Sequence, residues 1–257
     1  MALIETTQSE SILTLTINRP KANALNLALI GELQAALARA ANDASVRCVI
    51  LTGANHFGAG QDIEEIKAYG ESISYREHLL KTYNPLVMQM RRIEKPLIAA
   101  VAGMCAGASL GIALACDIRV AARNAKFVVG FGGIGLAPDS GVSLMLPALI
   151  GLGRATELYA ANDPIDSQTA LDWGLVNRVS ADDPLISETM IFAQKIAAGS
   201  IQSFALTKRL FNKTMLPQLE AVLDDEAQMQ EIAGRSADHR EGVAAFLEKR
   251  KPQFGTR

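Results

Sequence analysis

The feature that most restricts how this chain folds is a run of twenty residues without a charge, Leu97 to Cys116, LIAAVAGMCAGASLGIALAC. Its length satisfies the rule for a membrane-spanning helix, and Gly103, Gly107 and Gly111 stand at the GxxxG spacing of packed spans. The residues argue otherwise. The run begins directly after Pro96, opens on the strand-like piece LIAAV, breaks at glycine and resumes as a second apolar stretch rich in Ala and Gly. A buried strand, a turn and a buried helix explain it better than a span. A segment apolar on every side belongs at the centre of an α/β core.

The rest of the chain fits that reading. With 257 residues, 49% of them hydrophobic, there is material for one large domain or two small ones. Lys and Arg total 25 against 27 Asp and Glu, dispersed along the chain, which excludes the basic stripe of a nucleic-acid or membrane-surface binder. Cys48, Cys105 and Cys116 are odd in number, apolar in setting and never in CxxC spacing, as for free thiols in a reducing compartment. The opening MALIETTQSE lacks the basic and apolar regions of a secretory signal, so a cytoplasmic location is expected. His56, His78 and His239 are scattered and show no ligand spacing, so no metal site is expected.

Along the chain, SILTLTI (11–17), VRCVILT (46–52), LIAAV, IRVAA and KFVV read as strands, and Leu27 to Asn42 reads as an amphipathic helix. A polar helical stretch from Ile63 to Arg92, poor in anchoring residues near its start, is a candidate lid, with surface roles expected for His78 and Tyr83. The order strand, strand, helix recurs, which points to a coiled superhelical core rather than one doubly wound sheet. Beyond Pro184 the pattern is almost wholly helical. Residues 1–195 are expected to form the core and 196–257 a helical region whose apolar faces pack on the core or on another subunit.

Two kinds of glycine loop carry candidate chemistry. GFGGIG, from Gly130 to Gly135, satisfies a dinucleotide fingerprint, yet Pro138 arrives where the motif's helix should already be running. AGQDI (59–63) and AGASLG (106–111) are different: small residues let backbone approach a ligand, and the second precedes a helix whose first N–H groups are unpaired. N–H groups converging from these loops could hold an oxyanion, or both loops could be ordinary turns. From Phe127 to Gly153 the only ionisable side chain is Asp139, in APDSG. That is good turn chemistry, and it also sets a lone carboxylate in apolar surroundings.

The stretches NRPKANALN, VILTGANHFGAGQDI, KPLIAAVAGMCAGASLGIALACDIRVAARNAKF, IGLAPDSG, WGLVNRV and REGVAAFLEKRKPQF, in this order and spacing, resemble the crotonase superfamily of enoyl-CoA hydratases and isomerases across essentially the whole chain. The resemblance implies an α/β spiral of ββα units and a C-terminal helical trimerisation region, in homotrimers often paired into hexamers. It implies an acyl-CoA thioester substrate, no separate cofactor, and an oxyanion hole made by the backbone N–H groups of Gln61 and Ala108. It places substrate contacts at Lys21, Ala22, Ala59, Gly60, Asp62, Ile63, Phe131, Ile134 and Lys249; Asp62, next to the oxyanion residue, is itself expected to cap or brace its loop. The two glutamates of family hydratases match Gly111 and Phe131 here, neither of which can move a proton. FGxxGLxPDSG is most similar to the isomerase subgroup acting on 1,2-epoxyphenylacetyl-CoA and related Δ3-enoyl-CoA thioesters, which implies Asp139 as the catalytic acid/base. Hydration on the same fold and a non-catalytic acyl-CoA-binding subunit are the alternatives.

Overall fold

The computed structural model describes residues 2–69, 73–181 and 185–255. The chain opens with β1 (Ile4–Ser9), β2 (Ile12–Ile17), the single turn α1 (Pro20–Asn23), α2 (Leu27–Asn42) and β3 (Cys48–Gly53). Asn26 caps α2 through its side chain, which accepts from Leu29 N at 2.9 Å, so the helix starts where the sequence reading put it. The expected helical stretch 63–92 is three helices, α3 (Ile63–Tyr69), α4 (Tyr75–Lys81) and α5 (Tyr83–Arg92). Ser74 caps α4 by accepting from Glu77 N, a signal that the long polar pattern obscured.

The charge-free run then resolves into β4 (Leu97–Val101), β5 (Met104–Ala106) and α6 (Ala108–Ala115), every residue of the helix being buried. Among the described residues no helix is long and apolar enough to cross a membrane. After it come β6 (Ile118–Ala122), β7 (Lys126–Val128), α7 (Val142–Ile150), α8 (Leu152–Ala161), β8 (Ile165–Asp166), α9 (Ser167–Asp172) and β9 (Arg178–Ser180). Four helices finish the chain: α10 (Leu185–Ala197), α11 (Ile201–Met215), α12 (Leu219–Gly234) and α13 (Ala237–Glu248). Residue 196, where the core was expected to end, lies in the last turn of α10.

The strands form two sheets. The larger has the order β1-β2-β3-β4-β6-β9, antiparallel only between β1 and β2, and the smaller has the order β5-β7-β8. Each pass of the chain adds to both: β4 enters the large sheet and β5 the small one before α6, and β6 and β7 repeat the pattern. A parallel bridge from Gly58 to Cys105 continues the small sheet toward the loop after β3. This is the spiral of ββα units. Both faces of the central parallel strands are buried, Val49, Leu51, Ala99 and Ala121 in one core cluster and Ile50, Ile98, Ala100 and Val120 in another, which explains why these strands read as continuous apolar runs.

All three cysteines are free and buried, and burial pushes the Cys48 and Cys116 thiols up to about 12. The C-terminal helices are tied to the core by polar contacts at depth. Lys208 of α11 meets Asp117 at 2.8 Å, and Arg91 of α5 meets the same carboxylate at 3.1 Å. Removing Asp117 would leave two buried cations without their carboxylate.

Candidate active site

The loop between β3 and α3 and the start of α6 form one wall of a cavity of about 500 Å³. Leu25 N donates to Gly60 O at 2.7 Å, and Asp62 N donates to Leu25 O at 2.8 Å. In extended backbone successive N–H groups alternate in direction, so the Gln61 N–H faces away from residue 25. Across from it, Gly107 adopts φ 54° and ψ −128°, a conformation reserved for glycine, and this turns the chain into α6. Ala108 is the first helical residue, and its N–H has no acceptor within the helix. The two segments touch: Gly60 N donates to Ser109 Oγ at 3.1 Å, and a β-carbon built on Gly60 would stand 3.6 Å from Ala108 N.

The opposite side comes from the turn at 131–141 and from α12. Asp139 is 7% exposed and lies in the turn that leads through Ser140 and the N-cap Gly141 into α7. Ser140 Oγ donates to its Oδ1 at 2.7 Å, and Gln230 Nε2 donates to its Oδ2 at 2.8 Å. Burial pushes the Asp139 carboxyl up to about 7, Glu226 adds to the rise, and the Ser140 and Gln230 hydrogen bonds pull against it. Among the described residues, the carboxylates lining the cavity are Asp62, Glu64 and Asp139. Asp62 pairs with Arg19 and accepts from Glu64 N at 3.0 Å and Glu65 N at 3.3 Å, so it braces the start of α3. Glu64 pairs with Lys21. Asp139 is the lining carboxylate with no cation beside it in those pairs.

Lys21, Ala59, Gly60, Gln61, Asp62, Ile63, Ala108, Phe131, Ile134 and Asp139 all line this cavity. Ala22 and Lys249 do not. Ala22, at φ 58°, supports the wall from behind, its carbonyl accepting from Ala59 N at 3.0 Å. Lys249 is exposed in the left-handed cap of α13, outside the cavity of its own chain.

Tyr83 is a correction. A surface role was expected, but its side chain is 1% exposed and its hydroxyl donates to Gln61 Oε1 at 2.5 Å. His78 Nε2 reaches the same oxygen at 3.2 Å and must be the donor there, since that oxygen can only accept. Together they fix the Gln61 side chain. The helices beyond residue 196 were expected, but not that α12 and α13 bring Gln230, His239, Phe246 and Leu247 to the cavity wall. His239 Nδ1 donates to Ile134 O at 2.7 Å, and Tyr75 Oη lies 2.6 Å from its Nε2. Gly130 N donates to Asn162 Oδ1 at 3.0 Å. The glycine-rich loop therefore closes on α8 and does not open a dinucleotide-binding helix; only one 3-10 turn follows, at Gly132–Ile134.

Two sheets wound as a spiral, with loops and C-terminal helices closing on an apolar cavity that holds one cation-free carboxylate, define an α/β enzyme of the crotonase fold. A family model described as enoyl-CoA hydratase/isomerase matches residues 7–257. The chain is 38% identical over 249 residues, 95% of each chain, to 1,2-epoxyphenylacetyl-CoA isomerase of Escherichia coli (strain K12). It is also 38% identical over 248 residues to a probable enoyl-CoA hydratase of Rhodobacter capsulatus, covering 96% of this chain and 95% of that one. The crystal structure of an enoyl-CoA hydratase from Mycobacterium avium subsp. paratuberculosis K-10 superposes with a TM-score of 0.89 at 33% identity, over 99% of both chains. This chain belongs to the enoyl-CoA hydratase/isomerase family, and that membership implies an acyl-CoA thioester as substrate.

Proposed function

We propose that the chain is an acyl-CoA isomerase of the Δ3,Δ2-enoyl-CoA or 1,2-epoxyphenylacetyl-CoA type, with Asp139 as its single acid/base. The observation that carries this reading is the pairing of every other lining carboxylate among the described residues, Asp62 with Arg19 and Glu64 with Lys21. On a 3-enoyl-CoA, the Asp139 carboxylate takes a proton from C2, and the electron pair spreads into the thioester carbonyl as a dienolate. The same carboxyl group returns the proton at C4. One group suffices because both positions lie on the same face of a planar intermediate, and a carboxyl near 7 both accepts and donates at neutral pH. The Gln61 and Ala108 N–H groups hold the oxyanion, each worth about 3 kcal/mol in comparable sites.

Hydration is the second reading, supported by the names of relatives such as the R. capsulatus protein. It calls for a second proton-handling group to place water, and neither Gly111 nor Phe131 supplies one. Offering 2-enoyl-CoA and 3-enoyl-CoA separately distinguishes the two reactions by product. Asp139→Asn should lower isomerisation by at least about a hundredfold while leaving thioester binding intact; near-normal turnover in that variant sinks the assignment. Thioester binding by the unsubstituted protein with no α-proton exchange in deuterated water would instead indicate a binding subunit.

The assembly we propose is a homotrimer, alone or paired. Leu206, Leu210, Phe211 and Met215 of α11 are exposed and need a cover. Sedimentation of a stable monomer at micromolar concentration would exclude it.

A further inference from the structure

Two side chains of α12, four residues apart, reach the Asp139 turn. Gln230 Nε2 donates both to Asp139 Oδ2 and, at 2.6 Å, to Ala137 O. Glu226, one turn earlier, accepts from Gly141 N at 2.7 Å, from Ser143 N at 2.9 Å and from Ser143 Oγ at 2.5 Å. Residues at i and i+4 share one helix face. A single face of α12 therefore grips the turn at residues 137, 139, 141 and 143, across a sequence separation of about ninety residues.

Neither side chain belongs to the surface: Glu226 is 4% exposed and Gln230 is 1% exposed. Glu226 is also absent from the cavity wall, so it has no contact with a ligand there. A buried carboxylate is costly unless its oxygens are satisfied, and an apolar side chain would pack at lower cost. Burial pushes the Glu226 carboxyl above its ordinary value, and the three donors shared over both its oxygens pull against that rise and fit the anion. The charge thus lies behind the Asp139 turn, and the Gln230 amide lies against the carboxylate itself.

We infer that Glu226 and Gln230 are positioning residues: they hold the Asp139 carboxyl group against the cavity and act on its charge with opposite sign. The inference rests on Asp139 being the acid/base. The Glu226 anion disfavours a second negative charge in the same apolar surroundings, whereas the Gln230 N–H stabilises that charge by donating to it. The other groups facing Asp139 are Ser140, which donates from its own turn, and Tyr83 of α5. Burial first, then the negative charges of Asp139, Glu65 and Asp62, hold the Tyr83 hydroxyl well above its ordinary range and therefore neutral. From α6, Gly111 adds packing and no charge.

The test reads Asp139 directly. Full-length protein carrying 13C at the aspartate carboxyl carbons is titrated by NMR, the Asp139 signal being assigned by its loss in Asp139→Asn, and the pH dependence of isomerisation is followed in parallel. Glu226→Gln should move the Asp139 midpoint to lower pH. Gln230→Met should move it to higher pH. Midpoints that stay in place, or move in the same direction in both variants, would overturn the inference and leave only a structural clamp. If one variant fails to fold, the sign of the other decides. Because the carboxyl signal is followed without turnover, full activity in Asp139→Asn would remove the isomerase reading while the opposed shifts could still be found.

Discussion

Gly111 on α6 lies so close to Ser140 that a β-carbon built on it would stand 2.4 Å from Ser140 Cβ and 2.8 Å from its carbonyl oxygen. Ser140 is completely buried, has φ 58° and donates to Asp139. The resemblance to family hydratases sets one of their glutamates at position 111, and the space beside Gly111 is filled by the turn that presents Asp139. The missing acid and the remaining acid are one packing arrangement.

Restoring that glutamate is therefore expected to fail. Gly111→Glu must displace the 139–141 turn, and overpacking of this kind costs about 2 to 3 kcal/mol. Denaturant unfolding should show the loss, and 2-enoyl-CoA should remain unhydrated by the variant. A stable Gly111→Glu protein that adds water would mean the turn yields easily.

How far the sequence revealed this site depends on distance along the chain. Asp139 was legible because its neighbours from Phe127 to Gly153 are otherwise uncharged. Its controllers were not, since Glu226 and Gln230 lie in DDEAQMQE, where polar residues on a helix look like a solvated face until the partner surface is known. Tyr83 was hidden for the same reason, as one aromatic in a polar stretch. β2, β3, β4, β6 and α6 were legible because burial on nearly all sides leaves a composition no loop would have, whereas β5 stands where a turn was expected and β8 is a two-residue strand that left no run. β1, with Glu5, Thr6, Thr7 and Gln8 exposed, left no such mark.

Turnover should follow Asp139 ionisation. As the base in the first step it must start as the carboxylate, and burial sets its midpoint at about 7. For a 3-enoyl-CoA, kcat/KM is expected to climb tenfold per pH unit on the acid side and to level above that midpoint. His78 and His239 are both held below the ordinary histidine value, chiefly by burial, so the limb near 7 does not belong to them. A flat profile between pH 5 and 9 would be incompatible with this base.

The same carboxyl makes stability depend on pH with a definite sign. Its folded value is raised from 3.8 to about 7, so the folded state binds the proton more tightly. The contribution is most favourable below about 4 and is lost as pH rises through 7. Asp139→Asn should relieve a penalty of up to about 4 kcal/mol at pH 8, with the benefit shrinking toward pH 4. Thermal unfolding of both proteins across that range checks the trend; an Asn variant destabilised equally at pH 5 and pH 8 contradicts it.

Ser109 joins the two segments proposed to hold the oxyanion. Its Oγ, beside Ala108 in the first turn of α6, accepts from Gly60 N, which directly precedes Gln61, and the side chain is 1% exposed. Ser109→Ala removes the acceptor and leaves the Gly60 N–H orphaned in a buried place, at about 1 to 3 kcal/mol. The fold survives such a loss, but the register of the two donors does not. Because an oxyanion hole acts more strongly on the enolate than on the bound thioester, kcat should fall roughly 10- to 100-fold while KM changes little. Unchanged kcat in a Ser109→Ala protein with lowered stability would show that the donors are set by the backbone alone, and that Ser109 serves only the packing between the β3–α3 loop and α6.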